Sequence, residues 1–198
     1  MDRLDSIFAR LFVMMKLSMI GLTLSACAGF VLGVSPAAAV LLTLYHEHGL
    51  DAEEYQFKTA FQLFRKQFWQ ANAIFGMTVG FWGLLGYGIF FMVQLPQAFF
   101  FLTVINLFGM CYVGAVYASY LKLQVYYEFT LIEGLKLSAM AVFLSLVPFM
   151  KLLIGTGICL FIGWKLPLII GIFVPVLWLV FLFDVLEPIY YQVEQRLS

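Results

Sequence analysis

Few residues in this sequence could carry chemistry, and their spacing does not gather them. Asp184 and Glu187 stand at i and i+3, so on a helix they share a face. Paired carboxylates suit acid catalysis or a metal, yet no His, Cys or further Asp accompanies them, and a solvated helix end is the competing reading. His46 and His48, at i and i+2, diverge on a helix. Cys27, Cys111 and Cys159 sit in apolar tracts without metal-ligand spacing and read as small buried residues. Walker, GxGxxG, HExxH and triad patterns are absent. Inside the apolar tracts the polar side chains that stand out are Asn106 and Lys151. Asn106 either bonds across to another helix or meets a substrate or partner subunit. Lys151 either snorkels to an interface or, at a cost of about 3 kcal/mol at mid-span, marks a site. The expectation is a non-enzymatic protein with no catalytic residues, metal or cofactor.

The elements that must position these residues are helices in a membrane. The chain is 64% hydrophobic and 11% charged, against about 25% charge in soluble domains. Its apolar runs are continuous and much longer than the roughly ten-residue alternating segments of a β-barrel. Net charge is zero and the pI is 6.7, so nothing points to nucleic acid. The fold class is all-α, a polytopic membrane bundle of about five transmembrane helices with one interfacial amphipathic helix, and residues 1–198 form a single membrane domain.

A charged island from Tyr45 to Asn72 separates two apolar tracts and holds 7 of the 22 charged residues. Asp51 and Glu54 have capping-box spacing, and Phe57, Phe61, Phe64 and Phe68 follow at steps of 4, 3 and 4. These four rings fall in a stripe roughly 60° wide, with Lys58, Gln62, Arg65 and Lys66 pointing elsewhere. The spacing predicts a cytoplasmic amphipathic helix over 51–70, lying along the membrane surface with its rings buried against the bundle or the acyl boundary.

Ahead of the island, residues 1–16 read as a short interfacial helix. The uncharged stretch 17–45 would form about 44 Å of helix, too long for the roughly 30 Å hydrocarbon core. The sequence GVSP at 33–36 resolves this: Gly33 ends span 1 (17–35), Ser35 caps and Pro36 opens a short helix, 36–46, re-entrant or tucked against the bundle. LSAC at 24–27 spells a lipoprotein cleavage site, but AGFVLGV follows rather than a polar mature start.

Beyond the island, span 2 (71–95) carries Ala73, Gly76, Gly80 and Gly83 on one face, suited to close helix packing or a ligand crevice. Span 3 is 98–121, entered through a turn at 94–97. Thr130 and Glu133 repeat the capping box ahead of span 4 (137–162), which Pro148 should kink. GWKLP at 163–167 reads as an interfacial turn before span 5 (168–183). Five spans place the ends on opposite sides. Positive charges, six against four, favour N-out and C-in, and an even count in which 36–46 also crosses is the rival.

GVSPAAAVL at 33–41 and FKTAFQLFRKQFWQANAIFG at 57–76 resemble the YesL family of bacterial integral membrane proteins, a family defined by a domain of unknown function. Its Gly-x-x-Pro-Ala pattern, spaced phenylalanines and Ala-Asn at the next span map onto Gly33, Pro36, Ala37, Phe57, Phe64, Phe68, Ala71 and Asn72, over roughly residues 17–95. Where the family commonly has Thr, this chain has Ala38 and Ala39. Such proteins often accompany carbohydrate ABC importers and glycan-degrading enzymes in gene clusters. The resemblance therefore implies an accessory or regulatory role in sugar uptake, in the bacterial cell membrane, with the lipid bilayer and a membrane-protein partner or second copy as partners. The interaction surface expected on this reading comprises Gly33, Pro36, the four phenylalanines, Asn72 and the glycine face of span 2. The alternative function is a small transporter or channel with Asn106 and Lys151 along its path, and a membrane enzyme is a third reading.

Overall fold

The computed structural model describes residues 3–49, 51–95, 100–144, 146–165 and 170–197. Their regular structure is helical: α1 Arg3–Cys27, α2 Val31–His48, a 3-10 turn Ala52–Glu54, α3 Phe57–Met92, α4 Phe100–Tyr126, α5 Leu131–Leu144, α6 Leu146–Lys165, α7 Ile170–Val185 and α8 Glu187–Leu197. Five of these stretches are long and apolar enough to cross a membrane, in α1, α3, α4, α6 and from α7 into α8. The turn expected at 94–97, the starts of spans 3 and 5, and Pro167 of the 163–167 turn fall wholly or partly outside the described residues.

The first break lies earlier than Gly33. The Gly29 N–H bonds the Ala26 carbonyl at 3.2 Å and the Phe30 N–H bonds the Ser25 carbonyl at 2.8 Å, a Schellman ending with Gly29 at φ 73°. Phe30, at φ 58°, then forms a tight turn in which the Val31 N–H reaches the Gly29 carbonyl at 2.7 Å. No separate interfacial helix precedes the break, because nothing in residues 3–16 stops α1. Gly33, Ser35 and Pro36 therefore lie inside α2 and are buried. A Cβ at Gly33 would collide with the Ser25 backbone, so this glycine sets the close approach of α1 to α2.

α2 is the most enclosed helix, with Ser35, Pro36, Ala37 and Ala39–Leu44 buried among α1, α3, α4 and α7. It runs antiparallel to α1: Gly33 abuts Ser25, Leu41 reaches Gly21, and Tyr45 shares a cavity with Leu17 and Arg10. Ser35 Oγ donates to the Ala71 carbonyl at 2.8 Å and accepts from Tyr117 Oη at 3.0 Å, joining α2, α3 and α4.

The amphipathic segment is present but is not a separate element. It forms the opening turns of α3, a single helix of 36 residues, about 54 Å long. Between Phe57 and Gly76 there is no Gly or Pro, so the change from charged to apolar composition does not end the helix. Asp51 makes no side-chain cap bond and precedes only the 3-10 turn. The second capping box does form, with Glu133 Oε2 accepting from the Thr130 N–H at 3.0 Å and Thr130 Oγ1 at 2.8 Å. In span 4 helix is described on both sides of residue 145, as α5 and α6, and Pro148 has no N–H for the Leu144 carbonyl.

Candidate functional site

At one end of the bundle, the last turns of α2, α4 and α7 meet the first turn of α8. Lys122, in α4, is the centre of this end: its side chain is 1% exposed. Lys122 Nζ donates to the Phe183 carbonyl at 2.9 Å and to the Glu187 carboxylate. It also lies 3.2 Å from the centroid of the Phe183 ring and 5.0 Å from that of Tyr126. Tyr126 stacks on Tyr190 at 4.0 Å and meets His46 at 4.5 Å. Its hydroxyl donates to Glu187 at 3.3 Å. The ammonium thus exchanges water for one carbonyl, one carboxylate and two aromatic faces, the compensation a buried charge requires.

Asp184 is one turn from Glu187 but does not join this pair. It lines a cavity of about 280 Å3 with Arg10, Val13, Met14, Leu17, Tyr45 and Val180. Arg10 and Asp184 therefore lie on the same face of the bundle. Close by, the connector after α2 is held by Tyr55, whose hydroxyl donates to the Gly49 carbonyl at 2.6 Å. Burial pushes its phenol up to about 12.

The four-ring stripe on α3 is continuous, with centroid separations of 6.2, 6.5 and 5.6 Å from Phe57 to Phe68. Its burial within the protein is graded. Phe64 is buried and Phe68 half-buried, while Phe57 and Phe61 are 45% and 38% exposed. Lys58, Gln62, Arg65 and Lys66 are exposed, as their helical positions predict. Lys66 meets Glu128 at 3.3 Å. Because Glu128 already lies beyond the end of α4, residues 57–65 of α3 extend about 13 Å further.

The other expected sites are scattered. Gly76, Gly80 and Gly83 are exposed with nothing near their Cα hydrogens, so among the described residues they do not receive a neighbouring helix. The contact with α2 uses Ala71 instead, and Ala71, Ile74 and Thr78 are the buried residues in the part of α3 that carries these glycines. Asn72 turns inward on its own helix, donating to the Phe68 carbonyl at 2.9 Å. Asn106 donates to the Leu102 carbonyl at 2.9 Å and packs over Gly88. Lys151 is on the exposed face of α6. The cavity of about 370 Å3 between α3, α4, α6 and α7 is lined by Trp82, Leu107, Phe149 and Trp178 among others, and by neither Asn106 nor Lys151.

Lys122 stands just past the 98–121 span expected from sequence, among residues that the expected sites do not include. A usable signal was present: each of two apolar tracts ends in charge of opposite sign, Lys122 and Asp184 with Glu187, and both ends are flanked by tyrosines.

Long apolar helices closed at one end by buried charge define a multi-pass, all-α membrane protein. Residues 12–89 match the family described as a protein of unknown function, DUF624, which is the YesL family that the Gly33–Ala37 and Phe57–Asn72 pattern resembles. The matched stretch takes in most of α1, all of α2 and most of α3. No curated protein and no solved structure matches the chain.

Proposed function

We propose that this protein is a non-enzymatic accessory subunit that docks on the membrane domain of a partner, with a carbohydrate importer as the partner the family resemblance implies. The observation that carries this reading is the exposed face of the first turns of α3. Its first turns pass the end of α4 and present Phe57 and Phe61 beside Lys58, Arg65 and Lys66, with Trp69 81% exposed on the same segment. Exposed aromatic rings ringed by cations suit a protein partner at a membrane surface. Affinity purification in mild detergent, with photocrosslinkers at Gln62 and Lys66 in cells, tests it. Recovery of an importer subunit, lost on Phe57→Ser with Phe61→Ser, is the expected result. Purification of the chain alone, with no adduct from either position, would sink the reading.

The docking face and the C-terminal end are assigned to the cytoplasm, as expected from sequence, and the N-terminal end is assigned there too, where the sequence reading has it outside. Arg10, Lys58, Arg65, Lys66, Lys122 and Lys136 cluster toward the end that holds Asp184, while Lys165 ends α6 at the other. In this reading α1 and α2 form a re-entrant hairpin, so both chain ends are cytoplasmic. Ser35 is level with Ala71; from there the hairpin tip at Phe30 lies only about 8 Å on, whereas α3 continues about 31 Å to Met92. The tip, residues 26–34, contains no polar side chain, and the N–H groups of residues 28–31 are bonded internally. Those are the properties of backbone that can rest in hydrocarbon.

A further inference from the structure

The groove between α1, α2 and α7 holds two cavities, one above the other. The cavity at the charged end carries Arg10, Tyr45 and Asp184 over a wall of Val13, Leu17 and Val180. The second, about 240 Å3 and almost wholly apolar, runs from Ser18 and Leu41 to Phe30, against Pro175 and Leu179. They adjoin on every helix: Leu17 and Ser18 on α1, Leu41 and Tyr45 on α2, Leu179 and Val180 on α7.

Arg10 and Asp184 carry opposite charges and face the same space, yet neither side chain makes an ion pair or hydrogen bond with a described residue. The Tyr45 hydroxyl is likewise without a hydrogen-bond partner among the described residues, although its ring packs on Phe183 at 5.7 Å. The nearby Lys122 is already held by Glu187, so the Asp184 carboxylate lies in the field of Lys122 and Arg10 but accepts no hydrogen bond from a described residue. Along α1, the distance from Arg10 to Ser25 is about 22 Å, close to one leaflet with its headgroups at about 20–22 Å.

We infer that this groove binds one phospholipid whose headgroup carries both a phosphate and a primary ammonium, phosphatidylethanolamine being the simplest. The phosphate is taken by Arg10 with the Tyr45 hydroxyl, and the ammonium by Asp184. An acyl chain follows the apolar cavity toward Phe30. A choline headgroup has no N–H to give Asp184, and a glycerol headgroup has no cation. This inference is independent of the docking partner proposed above.

The test is native mass spectrometry of the full chain in mild detergent with equal amounts of phosphatidylethanolamine, phosphatidylcholine and phosphatidylglycerol of identical acyl chains. Wild-type protein should retain the ethanolamine lipid about tenfold over the other two, the ratio given by one charge-assisted bond. Asp184→Asn should abolish that preference. Arg10→Gln should lower retention of all three lipids, and Ala38→Phe, which fills the apolar cavity, should do so with the charged groups untouched. Equal retention of the three by wild type would overturn the proposal, and that comparison needs no variant to fold. Unchanged retention in monodisperse Arg10→Gln and Asp184→Asn would overturn it too. Displacement of the lipid by equimolar glycerophosphoethanolamine would assign the groove to a soluble zwitterion and overturn the lipid.

Discussion

Lys122 and Glu187, 65 residues apart in the chain, form a charge pair in which the lysine is wholly enclosed and the carboxylate keeps about a third of its exposure. Removing Glu187 leaves the ammonium with one carbonyl and two aromatic faces. Glu187→Gln should therefore cost about 2–3 kcal/mol, below the 3–5 kcal/mol of a fully buried pair. Lys122→Met with Glu187→Gln should recover much of that loss. Thermal unfolding of the four proteins in detergent gives the coupling, and additive losses would contradict the pairing.

Gly33 and Gly76 belong to the same sequence pattern and should respond oppositely. At Gly33 a methyl group meets the Ser25 backbone, so Gly33→Ala should destabilise by about 1–3 kcal/mol. At Gly76 it meets nothing, and Gly76→Ala should be neutral or stabilising by up to about 1 kcal/mol. Melting curves of the two variants check the difference in sign.

Ser35 both donates to Ala71 and accepts from Tyr117. Ser35→Ala removes two buried bonds and should cost about 2 kcal/mol, and Tyr117→Phe about 1 kcal/mol. Combined, they should cost less than the sum, since they share a bond. Full additivity in equilibrium unfolding would show that the three helices are held by other contacts.

Glu133 supplies a pH dependence at the start of α5. Bonds from the Thr130 N–H and hydroxyl hold its carboxyl below the usual value of 4.5. A depressed carboxylate stabilises the folded state above its unfolded pKa and loses that contribution as pH falls through the folded one. Amide protection at residues 130–134, taken relative to the intrinsic exchange rate at each pH, should fall below about pH 4.5. Glu133→Ala should show the low protection at every pH.

Local signals were legible in the sequence and long-range ones were not. Apolar tracts and the 4, 3, 4 phenylalanine spacing report burial over a turn or two, so the helical class, the stripe and the Thr130 cap could be read directly. The first break was displaced because Gly33 and Pro36 carry the same composition cue as Gly29, and only the Schellman bonds distinguish them. The separate surface helix was inferred from a change in charge, which alters what surrounds α3 but not its backbone. Lys122 was missed because its partner lies on another helix, and no local spacing encodes that meeting.

The proposed docking role depends most on the end of α3 and both chain ends being cytoplasmic while the hairpin tip stays in the bilayer. With Cys27, Cys111 and Cys159 replaced by alanine, single cysteines at Val31, Gln56, Glu128 and Glu194 can be probed with a membrane-impermeant maleimide on intact cells and inverted vesicles. The prediction is that Gln56, Glu128 and Glu194 label only in inverted vesicles and Val31 in neither. Labelling of Val31 on intact cells would show that the hairpin crosses the membrane completely. Labelling of Gln56 or Glu194 there would place the docking face outside, and contradict the account.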